Sequence, residues 1–576
     1  MRRKQIPHIL LLAAFVTLLN AWKPLHMDDA TYYHYASHIA RRPLDPYGFS
    51  LLAWNKLTPA NELLAPPFIL YWWASGIALW GHHPVLWKLW LFPICLILVA
   101  SVFALSRRFA TGLAWPVTWM VCLSPVILPA LNLMLDVPAL AFNLLALVVL
   151  IRAVDRDSLA LAVLSGIVAG LSLQTKYTGF LALGMLGLYS LVAGKRRLGL
   201  LSCLTSVCLF ALWEGFIHYR YGISHFLFHF QQQGQDPEDK MFLLVPMLSV
   251  AGGLAPALIP LGLAACYRSR ELLLLASGLI IGIFAWITLV PAKLLKVLSG
   301  GLLVMQDQAA LNGYLFTALG FAIFLLAGVA LGRLWKAARE YKERASVWFL
   351  SLWLVLEVAG IFALSPFMAA RRVMEVTVVL ALVFGRLASL NLKTPDWRPW
   401  FQALVGFNLC LGIGYAFLDH WEAETERKVV QEAAHLIRQR QPDATIWYTG
   451  YWGVQFYAEE ERMRQVIPSP QSVAINLQPD PASVSSTPST LRQGDWLVVP
   501  DQRIPQQILV QLSPPDQELL EAFEPIVARD LVHVRTVMCY YLGEVPLEHE
   551  EGPRVVLRVF RVKKDFIPET PAGSWH

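Results

Sequence analysis

Residues 1–42 read "MRRKQIPHILLLAAFVTLLNAWKPLHMDDATYYHYASHIARR", and the order of characters in this stretch decides the fold. A basic head, Arg2, Arg3 and Lys4, precedes an apolar run, and two adjacent carboxylates, Asp28 and Asp29, follow it. Head and apolar run have the shape of a signal peptide. No small-x-small cleavage site follows, however, and many more apolar runs come later, so a retained first helix is expected. Basic residues at its start place that end inside and the acid pair outside. The acids lead a run of tyrosines and histidines, "ATYYHYASHIA", whose amphipathic character suits a helix lying at the membrane interface. Asp, Asp and Thr at a helix start equally suit N-capping, a purely structural role.

The rest of the chain fits the same frame. Of 576 residues, 56% are hydrophobic and only 15% charged, against roughly 25% charged in soluble domains. Repeated apolar runs near the length of a bilayer crossing make this a polytopic α-helical membrane protein. The net charge of +6 is mild, and no nucleic-acid partner is expected. Six of the seven cysteines (Cys95, Cys122, Cys203, Cys208, Cys266, Cys410) fall in apolar segments, where Cys is a small hydrophobe. Cys539 alone lies in the polar tail, so no disulfide within the tail is possible, and no CxxC or Cys/His pattern suggests zinc.

Hydropathy and the positive-inside rule together give about 13 spans. Basic loops such as Arg107–Arg108, "GKRR", "YRSRE" and "GRLWKAAREYKER" recur at the inner ends. The membrane part covers residues 1–418, with a first outer loop over 24–84 carrying the interfacial pieces "ATYYHYASHIA" and "PPFILYWWASGIALWG". Residues 419–576 change character and read as a soluble α/β domain. "TERKVVQEAAHLIRQRQ" has a helical apolar stripe, "VQFYAEEERM" reads as a helix, and "PDATIWYTG", "GDWLVVP" and "RVVLRVFRV" read as strands. The stretch "PSPQSVAINLQPDPASVSSTPSTLRQGD" reads as a long loop. An odd number of spans puts this domain on the same face as Asp28.

Ionisable residues in or near spans are costly and therefore point to function. They are Lys88, Asp136, Lys176, Glu214, Lys293, Lys296, Glu357, Arg371, Arg372 and Glu375. The topology puts most of them near the outer ends of their helices, on the side of Asp28 and Asp29, and so predicts a polar cavity facing outward. For Lys88, Lys293 and Lys296 the plainer reading is a side chain reaching to interfacial water. For Asp136, followed by Pro138, it is a helix-start acid favoured by the dipole.

Several of these segments resemble the GT-C class of membrane glycosyltransferases, in particular glycosyltransferase family 39, which includes protein O-mannosyltransferases and lipid A aminoarabinose transferases. "HMDDATYYHYASHIA" matches the family's acid pair in the first outer loop, "LDVPALAF" its Asp-x-Pro, "LQTKYTGF" its Thr-Lys, and "AARRVMEV" its late arginine. "YTGYWGVQFYAEE" and "GDWLVVP" resemble the soluble tails of bacterial members. The likeness covers the chain in hydropathy and a few short motifs in letters. Relatives often carry His or Lys before the Pro-Pro of the first loop; here Ala65 stands there, leaving Lys56 or Lys176 to meet the phosphate.

The resemblance implies a sugar donor linked to a polyprenyl phosphate in the lipid bilayer and a lipid, glycan or protein acceptor. It also implies a bacterial inner-membrane location, in which the orientation read from the basic residues and the span count makes the N-terminus cytoplasmic and the C-terminal domain extracytoplasmic. It implies Asp28 as general base, Asp29 as its helper or an acceptor contact, and Asp136 as a second carboxylate. Lys176, Arg371 and Arg372 would meet the donor phosphate, and Tyr32, Tyr33, Glu62 and Glu375 would contact substrate, with anchoring at the membrane interface an equal reading for the two tyrosines. No cofactor is expected, although Asp28, Asp29 and His34 would also suit a divalent ion. The main rival is a transporter or flippase of a lipid-linked substrate, which would show internal repeats and helices broken at the midplane; the sequence shows no repeat. A non-catalytic subunit presenting its tail is the second rival.

Overall fold

A computed structural model describes residues 5–53, 56–232, 242–289, 308–392, 394–467, 469, 488–501, 518–528, 534–536, 540–541, 545–549 and 555–568. Lys293, Lys296, Cys539 and most of the loop after Pro468 lie outside these residues, as does the side chain of Lys56.

Helix α1 (Ile6–Ala21) enters a folded first loop made of α2 (Asp28–Arg41), the hairpin β1 (Ser50–Ala53) and β2 (Lys56–Pro59), and α3 (Pro67–Trp80). The bundle continues through α4 (Pro84–Leu89), α5 (Phe92–Phe109), α6 (Ala114–Cys122), α7 (Asp136–Arg156), α8 (Leu159–Leu173), α9 (Phe180–Val192) and α10 (Arg196–Tyr221). After α11 (His225–Gln232) come α12 (Leu244–Leu254), α13 (Leu258–Tyr267), α14 (Arg270–Leu289), α15 (Gln308–Ala337), α16 (Tyr341–Leu364), α17 (Met374–Asn391) and α18 (Thr394–Arg440).

Among the described residues, eight helices are long and apolar enough to cross a membrane, or nine if α12 and α13, bent by 85°, count as one span. Ile6–Ala21, Leu159–Leu173 and Tyr177–Val192 are shorter apolar helices. With the short α6 they account for every apolar segment read as a span. The third segment stops early: α6 ends at Cys122, and a 3-10 turn at Leu128–Ala130 carries the chain on.

Helices in lipid gain little from hydrophobicity and pack through small residues. A Cβ on Gly252 of α12 would lie 1.9 Å from the Phe316 carbonyl of α15, and one on Gly320 would lie 1.9 Å from that of Leu248. Ser165 of α8 donates to the Ala146 carbonyl of α7 at 2.8 Å and accepts from Ser202 of α10 at 3.0 Å. These contacts fix the neighbours of α7 and α8, which carry part of the site.

The helices alternate in direction, so their charged termini gather at two opposite ends of the bundle. Arg107 and Arg108 lie in the last turn of α5 and Arg156 in that of α7, with Arg108 3.0 Å from Asp155. Asp28, Asp136, Lys176 and Arg371 gather at the opposite end.

The long α18 runs unbroken for 47 residues, through residue 418, into the C-terminal region. There β3 (Ile446–Tyr448), α19 (Trp452–Glu460) and β4 (Arg464–Gln465) precede β5 (Trp496–Asp501), β6 (Leu520–Ala522), β7 (Ile526–Val527), β8 (Val534–Arg535), β9 (Glu548–His549) and β10 (Val556–Val562). Six strands form one sheet in the order β4-β3-β5-β10-β6, with β7 also on β10. β3 is parallel to β4 and β5, while β10 is antiparallel to β5, pairing Val559 with Val498. This region is seated on the site end of the bundle. Tyr457 Oη donates to the Leu25 carbonyl at 3.0 Å, and Tyr540 Oη to that of Pro125 at 2.5 Å.

Candidate active site

Helix α2 explains which residues of the opening stretch meet. Side chains at i, i+3, i+4 and i+7 share a helix face, whereas consecutive ones diverge by roughly 100°. Asp28, Thr31, Tyr32 and Tyr35 accordingly line a cavity of about 600 Å³. Asp29 and Tyr33 lie on another face and do not line it. Met27, just before the helix, holds φ at 51° and ψ at −131°, a strained conformation for a residue with a Cβ. Strain of this kind persists where the surroundings over-determine it, and here it directly precedes Asp28.

The cavity's ionic centre comes from three other places in the chain. Asp136 opens α7, buried at the helix start, and pairs with Lys176. Lys176 follows the end of α8, before a 3-10 turn over Tyr177–Gly179. That turn needs Gly179, where a Cβ would come within 2.9 Å of the Ser172 backbone. Arg371 and Arg372 share a second 3-10 turn, Ala370–Arg372, between α16 and α17.

Arg371 Nη1 lies 3.3 Å from Asp28 Oδ2 and 3.9 Å from Asp136 Oδ2, while its Nη2 donates to the Tyr541 carbonyl at 3.2 Å. Arg372 has no carboxylate within ion-pairing distance among the described residues, and its Nε has no hydrogen-bond partner there. Both guanidinium groups lie over the Phe367 ring, at 5.7 and 5.4 Å. Three cations thus face Asp28 and Asp136, with Glu62 a further acid in the cavity wall.

Electrostatics divide these cations. Burial, opposed by Asp136 and reinforced by the two arginines, lowers the Lys176 ammonium to about 8. Burial also lowers Arg372, to about 10, with Arg371 adding to the effect. Burial likewise works against Arg371, but the charges of Asp136 and Asp28 outweigh it and raise its value. Arg371 is therefore the cation its surroundings favour most, and Lys176 and Arg372 are those that would gain from another anion.

The remaining candidates are dispersed. Tyr32 is buried against Trp73, ring centroids 5.8 Å apart, and keeps an edge on the cavity. Glu62 ends the 3-10 turn Ala60–Glu62 and lines the cavity. Glu375 lies outside it, accepting from Asn143 Nδ2 at 2.8 Å. Tyr33 stacks on Trp87 at 4.9 Å and meets Phe456 edge-on, so it joins the first loop to the C-terminal region.

Asp29 belongs to a second, buried ionic cluster behind α2. Its Oδ2 accepts from the His26 amide at 3.2 Å and lies 3.9 Å from Lys88 Nζ. Burial raises its carboxyl, partly offset by Lys88 and Lys23. Lys88 does not reach to interfacial water: it is 1% exposed, and its Nζ donates to the Lys23 and Pro24 carbonyls at 2.5 and 3.2 Å. Lys23 pairs with Asp419 at 2.5 Å and His26 with Glu426 at 2.8 Å, tying the loop before α2 to α18.

Sequence reasoning missed the apolar and aromatic walls. Phe180, Phe226, Phe230, Leu364 and Phe367 line the cavity, as do Tyr451, Trp452 and Tyr541 of the C-terminal region. Trp452, at φ 58°, is a second strained residue on the cavity. "YTGYWG" was visible as a motif without a place, whereas nothing local marks Tyr541. Among the described residues no group of three His, Cys, Asp or Glu is arranged to hold a metal ion; His34 Nε2 instead meets Gln455 at 3.2 Å and Glu459 at 3.5 Å.

No protein-family model matches the sequence, and no curated protein does. Among solved structures the chain is similar to ArnT from Cupriavidus metallidurans bound to undecaprenyl phosphate, with 14% identity and a TM-score of 0.46, over 98% of this chain and 99% of that one. It is also similar to the Archaeoglobus fulgidus oligosaccharyltransferase in complex with zinc and sulfate, with 13% identity and a TM-score of 0.45, over 79% of this chain. A further structure of that enzyme, AglB with an inhibitory peptide and a dolichol-phosphate, has a TM-score of 0.44 at 13% identity, over 81% of this chain and 65% of that one. The chain spans 62% of the archaeal protein's length in the zinc and sulfate complex, less than two thirds.

Proposed function

We propose that this protein is an integral membrane glycosyltransferase that moves a sugar from a polyprenyl-phosphate donor to an acceptor hydroxyl. The observation that carries the reading is the conjunction at Arg371. A part-exposed carboxylate, Asp28, sits beside a group of cations in a cavity whose other walls are aromatic and aliphatic. The first suits proton removal, the second a departing phosphate, and the third a prenyl chain.

In this scheme Asp28 takes the proton from the acceptor hydroxyl as its oxygen attacks the anomeric carbon. A new C–O bond forms, the bond from the anomeric carbon to the donor phosphate oxygen breaks, and the electron pair leaves with that oxygen. Arg372 and Lys176 stabilise the charge developing on the phosphate, with Arg371 holding Asp28 and Asp136 in place. Tyr32 and Glu62 contact the sugar or the acceptor. The products are the glycoside and a polyprenyl phosphate. Residues 1–418 form the catalytic membrane part and 419–576 a domain closing it on the extracytoplasmic side, in a bacterial inner membrane with the N-terminus cytoplasmic.

The test is to incubate the purified protein with a panel of polyprenyl-phosphate sugars and candidate lipid, glycan and protein acceptors, then identify products by mass spectrometry. Polyprenyl phosphate release coupled to a glycosylated product supports the reading. Inactivity with every donor, together with movement of a lipid-linked sugar between bilayer leaflets, favours the transporter. The bent pair α12–α13 is a feature transporters share, but no residue of either helix lines the cavity.

A further inference from the structure

The end of the bundle opposite Asp28 holds a second cleft, of about 600 Å³, where the C-terminal ends of α13, α15 and α17 meet. Its polar lining includes Arg268, Arg333, Lys336 and Asn391, beside the exposed side chains of Tyr267 and Leu390. No carboxylate lines it, and among the described residues none lies within ion-pairing distance of the three cations.

Two of these cations are held ready. Arg268 Nη2 donates to Asn391 Oδ1 at 2.9 Å, and Asn391 Nδ2 in turn donates to the Ala265 carbonyl at 2.9 Å. The Arg333 guanidinium lies over the Tyr267 ring at 5.0 Å. Neither contact neutralises charge, so each arginine keeps donors free for an anion.

The surroundings set the depth of the cleft in the membrane. Arg270 lies over Trp397 and Trp400 at 5.5 and 5.9 Å, and Trp335 meets Trp348 edge-on at 4.6 Å. Tryptophan, tyrosine and arginine at the ends of apolar helices mark the headgroup level. Leu390, in the last turn of α17, is exposed on the bundle surface beside the cleft. Basic pockets between membrane helices at this level suit anionic headgroups.

We propose that this cleft binds the phosphate of an anionic membrane lipid, with Arg268, Arg333 and Lys336 around the phosphate and the acyl chains running along Leu390. The site is separate from the cavity at Asp28 and does not depend on glycosyl transfer. The phosphate chemistry would also accept free phosphate, so the test includes both sources.

The full-length protein, purified in detergent, is melted with added phosphatidylglycerol, phosphatidylcholine or inorganic phosphate. Phosphatidylglycerol is expected to raise the Tm and phosphatidylcholine to leave it unchanged. The triple variant Arg268→Gln, Arg333→Gln, Lys336→Gln is expected to lose at least half of that rise. A control triple, Arg196→Gln, Arg197→Gln, Lys342→Gln, is expected to keep it. An equal rise in the cleft triple and the parent, or no rise in the parent, would overturn the proposal. So would the full rise with inorganic phosphate alone. Native mass spectrometry of the single variant Arg333→Gln, counting retained phosphatidylglycerol, decides the matter if the triple does not fold: fewer bound lipids than the parent supports the site, and equal numbers overturn it.

Discussion

The guanidinium of Arg371 lies 3.3 Å from the carboxylate of Asp28, although 343 positions separate the two in the chain. The contact joins the first loop to the turn before α17, and Arg371 also approaches Asp136 of α7. Replacing it should therefore disturb several groups together. A hydrogen bond to a charged group contributes roughly 1.5–3 kcal/mol, and each 1.4 kcal/mol is a factor of about ten. Arg371→Ala is expected to lower kcat/KM by roughly 10- to 100-fold. Arg371→Lys should fall between the two, because an ammonium keeps the charge and loses the planar fork. Steady-state kinetics on the active donor gives the answer.

Arg372 makes a different prediction, because it has no carboxylate partner among the described residues. Its loss should raise the donor KM and also lower kcat, because the guanidinium meets the phosphate in the ground state and more strongly as charge develops on it. Steady-state kinetics separates the two effects, and a KM rise with kcat unchanged would contradict a contribution to the developing charge.

Lys176 gives a pH signature. Its lowered value of about 8 means that the ammonium is present below that pH and lost as pH rises through it. Donor KM should be flat on the acid side and climb above about 8. Lys176→Arg, charged throughout, should flatten the climb; an unchanged limb in that variant would assign it to another group.

The cluster behind α2 governs stability. Lys23 and Asp419 are 2% and 1% exposed and pair at 2.5 Å. Removing one partner of a buried pair costs about 3–5 kcal/mol, because the other charge is left alone. Asp419→Ala and Lys23→Ala should each lower the Tm clearly, and the double variant should lose less than the sum, as a thermal-melt double-mutant cycle would show.

His26 adds a smaller pH effect on stability. Burial opposes its protonation, but the Glu426 hydrogen bond and charge prevail and raise its value above 6.5. The stabilisation is complete below 6.5, the value expected of the unfolded chain, and decays as pH rises through the raised folded value. His26→Gln should weaken this part of the pH dependence of Tm.

Much of this organisation was legible in the sequence. The apolar runs located the helices, and the acid, Asp-x-Pro, lysine and arginine motifs located one end of the bundle. What escaped was set by side-chain direction and long-range packing. Asp28 and Asp29 are neighbours in sequence, yet a helix turns them apart, and the spacing Asp28–Tyr32–Tyr35 already contained that division. Lys88 reads as interfacial because its hydrogen bonds go to the backbone carbonyls of residues 23 and 24, which no side-chain pattern records. Tyr451, Trp452 and Tyr541 reach the cavity because the C-terminal region is seated over it, a contact hundreds of residues distant in the chain.

The central claim, that Asp28 removes the acceptor proton, is tested most directly by one comparison. Parent protein and Asp28→Asn, each purified and shown to have the same Tm within a few degrees, are assayed for glycoside formation at saturating donor. General-base catalysis contributes about 10²–10⁴-fold, so the variant is expected to lose kcat in that range while still binding the donor. A stably folded Asp28→Asn protein that transfers sugar at the parent's rate would contradict the account.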